Sequence, residues 1–418
     1  MAETKKIIPK RRFKEFQYAE AWEQCKLTDE AELFSGLTYS PNNIVKDNGT
    51  FVLRSSNVKN GEVVDADNIY VNSEVVNSCN VKNGDIIVVV RNGSRSLIGK
   101  HAQIKGDMDK TVIGAFMTGL RSNHSNFINA LLDTPVFKNE INKNLGATIN
   151  QITNGMFHQM NFLMPCNKEK DKIGKFIVDL DNLITLHQRK LDKIKSTKKA
   201  YLYEMFPAEG ETKPKRRFKG FSGDWEQCEF GELADYKKGP FGSALKKEIF
   251  VPKSDCAVKV YEQQNAIKKD YNLERYFITK EYAAKLSSFE VHPGDIIISC
   301  AGTIGEMYVL PNTAEVGIIN QALMRVQVNE RIIDKTMFKY LFANMIDSFS
   351  RTHSNGSAIK NIPPFADLKP MKARVPLIDE QRKLVELLTD LDNLITLHQH
   401  KLDKLKNLKK SYLNEMFI

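Results

Sequence analysis

The 418-residue sequence has no apolar run approaching the ~18 residues a membrane-spanning helix requires. Its basic N-terminus (Lys5, Lys6, Lys10, Arg11, Arg12) leads into no apolar signal core. Neither membrane insertion nor secretion is expected. The six cysteines (Cys25, Cys79, Cys166, Cys228, Cys256, Cys300) are scattered, with no CxxC pair and no histidine spaced to complete a zinc set. They read as reduced thiols of a cytoplasmic protein. Also missing are a GxxxxGK[ST] phosphate loop, an HExxH pair, a GxSxG elbow and a glycine-rich cofactor loop after a strand. No catalytic residue and no metal ligand is therefore singled out. What is present is ordinary globular material, 42% hydrophobic and 27% charged, enough for two or three domains. The formal net charge of +10 favours a polyanionic or acidic partner.

The sequence contains itself twice. Asp179–Phe206 recurs as Asp390–Phe417 with 22 of 28 positions identical. Weaker echoes lie at similar offsets: PKRRFKEF and PKRRFKGF from Pro9 and Pro214, WEQC at Trp22 and Trp225, GDII at Gly84 and Gly294, and GATINQI against GSAIKNI from Gly146 and Gly356. Two copies are too few for a solenoid, so the chain reads as a tandem duplication. Similarity is concentrated at the helical ends, while 26–165 and 229–375 share only short punctuation. One frame carries two different heads.

The repeated ends predict long amphipathic helices, the first over about 170–205, with apolar residues at three- and four-residue steps. The residues expected in the seam are Leu180, Leu183, Ile184, His187, Leu191 and Ile194, and Leu391, Leu394, Ile395, His398, Leu402 and Leu405. A near-heptad stripe needs a partner, and an antiparallel pairing of the two copies would supply it with pseudo-twofold symmetry. Two separate coiled-coil homodimers are the alternative. The matched histidines read as polar seam positions satisfied across the pair. The basic pairs Lys198-Lys199, Lys409-Lys410, Arg11-Arg12 and Arg216-Arg217 read as solvated faces before DNA clamps. In the heads, β-rich runs (51–54, 85–91, 295–300, 322–328) alternate with turns, and helices are expected over 127–144 and 335–350. The fold class is α+β. Expected boundaries are a first head over 1–165, a helix over 166–206, a linker over 207–217, a second head over 218–376 and a helix over 377–418.

Two divergent heads, each followed by a nearly identical helix, closely resemble the specificity (S) subunit of type I restriction-modification enzymes. Motifs similar to that family's recognition domains occur in order: WEQCKL at Trp22, LRSSNVKNGEV from Leu53, WEQCEF at Trp225, GPFGSAL from Gly239, HPGDIIISCAGTIG from His292, INQAL from Ile319, NGSAIKNIPP from Asn355 and VPLIDEQRKL from Val375. The first copy departs, with MPCNKEKDKI from Met164 and VVVRNGSRSLIG from Val88. The resemblance implies two target-recognition domains separated by a pair of long antiparallel helices. It implies a non-catalytic subunit that reads a bipartite, asymmetric site on double-stranded DNA. It further implies two methyltransferase (M) subunits and two restriction/translocase (R) subunits as partners. S-adenosylmethionine, ATP and Mg would be bound by those partners and none by this chain.

Base readers should be polar and on loops of the divergent heads, with Arg suited to guanine and Asn to adenine. The first head offers Arg54, Ser55, Asn57, Arg91, Asn92, Ser94, Arg95 and Lys100. The second offers Lys237, Lys238, Ser243, Lys246, Lys247, Thr303, Arg351, His353, Asn355 and Lys360. Two other readings stand. NIPPF, 361–365, is similar to the NPPF segment of adenine amino-methyltransferases, with one residue inserted, and would suit a methyltransferase with an unrecognised cofactor motif. A tandem-repeat scaffold binding proteins is the third.

Overall fold

The computed structural model describes residues 8–145, 150–353 and 362–418, without the side chain of His353. Two compact units emerge, Met1–Asp192 with Leu397–Ile418, and Lys193–Thr396.

The first unit runs β1 (Glu23–Lys26), β2 (Glu32–Ser35), β3 (Thr50–Leu53), β4 (Ile69–Val71), β5 (Ile86–Val89), β6 (His101–Gln103), β7 (Thr111–Ile113), β8 (Met117–Arg121), helices α1 (Ser125–Asp133) and α2 (Pro135–Asn144), then β9 (Asn161–Met164) and α3 (Asn167–Glu204). One sheet has the order β2-β8-β5-β6. A second places β3 between β7, parallel to it, and β4, antiparallel. A ribbon of β1 and β9 leads into α3.

The second unit repeats this plan with β10 (Glu226–Glu229), β11 (Ala234–Lys238), β12 (Ala257–Tyr261), β13 (Tyr276–Thr279), β14 (Glu290–Val291), β15 (Ile296–Ser299), β16 (Met307–Val309), β17 (Gly317–Ile319), β18 (Leu323–Val328), α4 (Lys335–His353), β19 (Lys372–Val375) and α5 (Ile378–Met416). Its sheets are β11-β18-β15-β16 and β13-β12-β17-β14, and its ribbon is β10 with β19.

The repeated GDII motif has a physical explanation. Gly84 and Gly294 adopt φ of 91° and 89°, where a side chain would be strained. Asp85 accepts the Lys82 N–H at 2.8 Å, and Asp295 accepts the His292 N–H at 2.9 Å, closing the same turn. The isoleucines then feed alternate faces of a central strand. Ile86 and Val88 enter one core and Ile87 and Val89 another; Ile296 and Ile298 are split from Ile297 in the same way.

The helix expected over 127–144 is two helices. Pro135 cannot donate to the preceding turn, and Thr134 caps α2 by accepting the Phe137 N–H at 3.3 Å. The second head's helix continues three residues beyond the expected end, to His353.

The first part of α3 and the last part of α5 belong to the first unit, and the remaining parts of both helices to the second. Trp22 packs edge-on against Phe417 at 6.2 Å, and Trp225 against Phe206 at 5.8 Å. Arg12 grips Glu169 in the first turn of α3 with two bonds of 2.7 and 2.6 Å, and Arg217 grips Glu380 of α5 with two of 2.7 Å. Both glutamates are 1% exposed as side chains, so these arginines are internal clamps, not solvated faces. Glu204 accepts the Arg216 N–H at 2.8 Å through its carbonyl, folding the 207–217 connection back on the end of α3.

The helices pair antiparallel. In the first unit Phe176 meets Tyr412 at 4.8 Å, Asp181 meets Lys409 at 2.7 Å, and His187 Nδ1 meets His398 Nδ1 at 3.1 Å. In the second unit Lys198 meets Asp392 at 2.6 Å, the Asp181–Lys409 pair with its partners exchanged between copies. The seam follows 173, 177, 180, 184, 187, 191, 194 and 198, and the same positions of α5. Leu180, Leu191 and Leu402 are buried in it, while Ile184, Ile194, Leu391, Ile395 and Leu405 are half-buried. Leu183 and Leu394 were expected there but are 45% and 42% exposed. Each sits one residue before a seam position, about 100° round the helix, and so points away from the partner.

Candidate nucleic-acid interface

In the first unit three loops converge where the two sheets meet. The loop after β2 crosses the β7–β8 turn so closely that a Cβ on Gly36 would strike the Gly114 carbonyl. Leu37 donates to the Ile113 carbonyl at 2.7 Å, and Ala115 donates back to the Leu37 carbonyl at 2.9 Å. The β5–β6 loop joins them through Val90 and Arg91, whose N–H groups both reach the Phe116 carbonyl. A 610 Å³ hollow lies beside this crossing, lined in part by Leu37, Tyr39, Arg54, Ser55 and Phe116.

Of the expected readers, Arg54 and Ser55 line it, and the others lie on the neighbouring loops. Asn92 Nδ2 donates to Ser55 Oγ at 3.2 Å, tying the β5–β6 loop to the turn after β3. Arg91 is exposed, its guanidinium 5.1 Å from the centre of the Phe116 ring. Ser94 is exposed, donates its N–H to Asn92 Oδ1 at 3.0 Å and shares a hydroxyl contact with Ser96 at 2.9 Å. Arg95 is exposed and Lys100 half-buried in the same loop. Two residues are differently employed. Arg54 is bonded to the Asp67 carboxylate and carbonyl at 2.5 Å each, which neutralises its charge locally. Asn57 is fully buried, accepting the Arg54 N–H at 3.0 Å and donating to Asn68 Oδ1 at 2.9 Å. An amide so occupied closes the turn and has nothing left for a base.

The second unit repeats the crossing. A Cβ on Gly239 would strike the Asn320 carbonyl; Gly239 N–H donates to Leu323 O at 2.9 Å, and Cys300 N–H to Ala322 O at 2.7 Å. Lys238 is exposed at the end of β11, and Ser243, Lys246, Lys247 and Thr303 are exposed on these loops. Lys237 is half-buried, its ammonium 4.9 Å from the Phe289 ring centre. The Thr303 carbonyl accepts from Ser299 Oγ, holding the 300–305 turn. Burial pushes the neighbouring Cys300 thiol up to about 12, so it is no nucleophile near neutrality. Arg351 is exposed in the last turn of α4, bonded to the Asp347 carbonyl at 3.2 Å. The His353 side chain, Asn355 and Lys360 lie outside the described residues, as does Asn361 of NIPPF.

Two apolar residues at the crossings, which the polar criterion for base readers omits, are exposed: Phe116 at 54% and Phe241 at 89%. The available signal was an aromatic set among turn residues, GAFMTG and GPFGS.

A half-buried polar cluster fastens the first head to the helix pair. Lys409 lies 2.7 Å from both Asp133 and Asp181, and His101 Nε2 lies 3.5 Å from Asp133. Burial pulls the Lys409 ammonium down, but the two carboxylates more than offset it and hold its pKa above the ordinary lysine value. Burial lowers the His101 pKa despite Asp133. In the second unit Asp392 binds Lys198 and accepts the Tyr340 hydroxyl at 2.8 Å. Both basic pairs thus contribute one internal cation rather than a solvated face.

Among the described residues there is no group of three or more His, Cys, Asp and Glu side chains able to hold a metal, and no helix long and apolar enough to cross a membrane.

Known proteins match this plan. The model of the type I restriction modification DNA specificity domain matches twice, over residues 19–196 and 222–407. The type I restriction enzyme MjaVIII specificity subunit of Methanocaldococcus jannaschii is 22% identical over 280 residues, 64% of each protein. The StySPI specificity subunit of Salmonella potsdam is 27% identical over 173 residues, 40% of this chain and 36% of that protein. The matches thus span less than two thirds of these relatives. The crystal structure of a type I restriction-modification system S subunit from M. genitalium shares the fold over 99% of both chains, with a TM-score of 0.62 and 14% identity. With a matched domain in each half of the duplication, the chain belongs to the type I restriction-modification specificity subunit family.

Proposed function

We propose that this chain is the non-catalytic DNA-reading subunit of a type I complex, each head reading one half of a bipartite, asymmetric site. The observation carrying this reading is two heads with the same strand order in the sheet built on the GDII strand and the same loop crossing but different loop chemistry. Heads built alike present themselves alike to DNA, and different side chains then select different half-sites. The heads are assigned to 1–165 and 218–376, the helices to 166–206 and 377–418, and the connection to 207–217.

The helices set the spacing. At 38 residues and 1.5 Å per residue, α3 is about 57 Å long, ample against a DNA turn of ~34 Å. They also offer matched docking points: Leu183 with Leu186 on α3, and Leu394 with Leu397 on α5, are all 42–47% exposed. Identical sequence around both dyads suits two copies of one methyltransferase subunit, with two restriction/translocase subunits joining through it. S-adenosylmethionine, ATP and Mg then reside on those partners. Exposed Lys and Arg of the loops would meet phosphates and make binding salt-dependent.

Exchange of residues 26–165 for the head of another subunit tests this. In the assembled complex it should change one half of the methylated sequence and leave the other intact. A change in both halves, or methyl transfer by the isolated chain, refutes the proposal.

A further inference from the structure

We infer that Phe116 and Phe241 are apolar base contacts of the two heads, each laying its ring against a base pair within its half-site. The inference deepens the proposed function and rests on it. The two rings stand on opposite members of one crossing loop pair. Val90 N–H binding the Phe116 carbonyl corresponds to Cys300 N–H binding the Ala322 carbonyl, so the second head has alanine where the first has Phe116. Counting from the crossing glycines Gly36 and Gly239, the first head has Thr38 where the second has Phe241. Each head therefore presents one exposed phenyl ring at the crossing, supplied by opposite members of the same loop pair.

Both rings stand on stiff backbone. The Phe116 carbonyl accepts two N–H bonds, of 2.9 and 3.3 Å, and the adjacent Ala115 is tied to Leu37. Phe241 follows buried Pro240, and its carbonyl accepts the Ala244 N–H at 2.8 Å. A rigid aromatic loses little conformational freedom on contact and has a large apolar face to bury. The surroundings are cationic: Arg91 lies over Phe116, and Lys238 at the end of β11 and Lys246 and Lys247 beyond it are exposed on either side of Phe241 in the chain. An apolar ring framed by cations matches the layered chemistry of duplex DNA, with thymine methyl groups and base edges between two rows of phosphate. A purely protein-binding aromatic would not require that frame.

The test uses the full chain assembled with its methyltransferase partners and a library of duplexes randomised over both half-sites. Phe116→Ala should reduce discrimination within the first head's half-site roughly tenfold, leaving the other half unchanged. Phe241→Ala should do the converse. Both rings are exposed, so the melting temperature and assembly of each variant should match the parent. Unchanged discrimination in both variants, equal loss at both half-sites, or failure of assembly with the heads still folded would overturn the assignment. If the unmutated complex selects no bipartite sequence, the proposed function itself fails, and this inference with it.

Discussion

Replacing Lys409 and Lys198 separately by methionine measures how burial weights two ion pairs of the same ancestry. The lysines are equivalent by sequence, and so are their carboxylates, Asp181 and Asp392. Their settings differ. Lys409 serves two carboxylates, with Asp133 and Asp181 only 33% and 32% exposed, whereas Asp392 is 46% exposed and retains Tyr340. Removing Lys409 leaves two adjacent, poorly hydrated negative charges. Loss of one partner of a fully buried pair costs ~3–5 kcal/mol, and a third of full exposure reduces that to about 2–3 kcal/mol here. The Lys198 pair falls nearer the exposed limit, at about 1 kcal/mol or less. For units of this size, ~2–4 °C per kcal/mol gives a drop of about 4–12 °C in the first unit's transition and about 2–4 °C or less in the second's. Calorimetric scans of the full chain would resolve both. A Lys409→Met loss no larger than that of Lys198→Met would refute the reasoning. Asp133→Asn introduced with Lys409→Met should recover part of the loss, since the stranded charge is then halved.

His101, facing Asp133, Lys409 and Lys138, is held below the ordinary 6.5 by burial. Because the unfolded chain takes up this proton first, the contribution is intact above about pH 6.5 and falls as pH drops toward the folded value. The first unit's melting temperature should therefore decline between pH 7 and 5 more steeply than in His101→Asn; parallel profiles would exclude His101 as the cause. Gly174→Val imports the residue found at the equivalent position 385. A Cβ there would lie 2.7 Å from Phe127 N and 2.9 Å from Asn126 Cβ, so a cost of about 2 kcal/mol, seen as a lowered urea midpoint, is expected. Leu183→Lys with Leu394→Lys should leave the melting temperature unchanged, because both side chains are exposed, yet weaken methyltransferase capture in size-exclusion chromatography. Undiminished capture would remove these dyads from the docking surface.

Legibility in the sequence followed the physical origin of each feature. The GDII strands could be read because a positive-φ glycine, a turn-closing aspartate and two-sided isoleucines are local requirements. Pro135 splitting α1 from α2 was equally local, yet it was masked by an apolar pattern running through both helices. Asn57 could not be placed: its type suits adenine, but only the packing of 54–68 reveals that its amide is already bonded. Phe116 and Phe241 carry no polar group, so their exposure in the folded chain marks them.

The sequence by itself determined the duplication, the paired helices and the family resemblance, because periodic apolar spacing and repeated strings survive without coordinates. Only the tertiary structure decided which leucines enter the seam and which face outward, since a one-residue step turns a helical side chain by about 100°. It alone also distinguished Arg12, Arg217 and Lys409 as internal clamps. A charge's partners are set by chain segments more than a hundred residues away, and no local pattern encodes that distance.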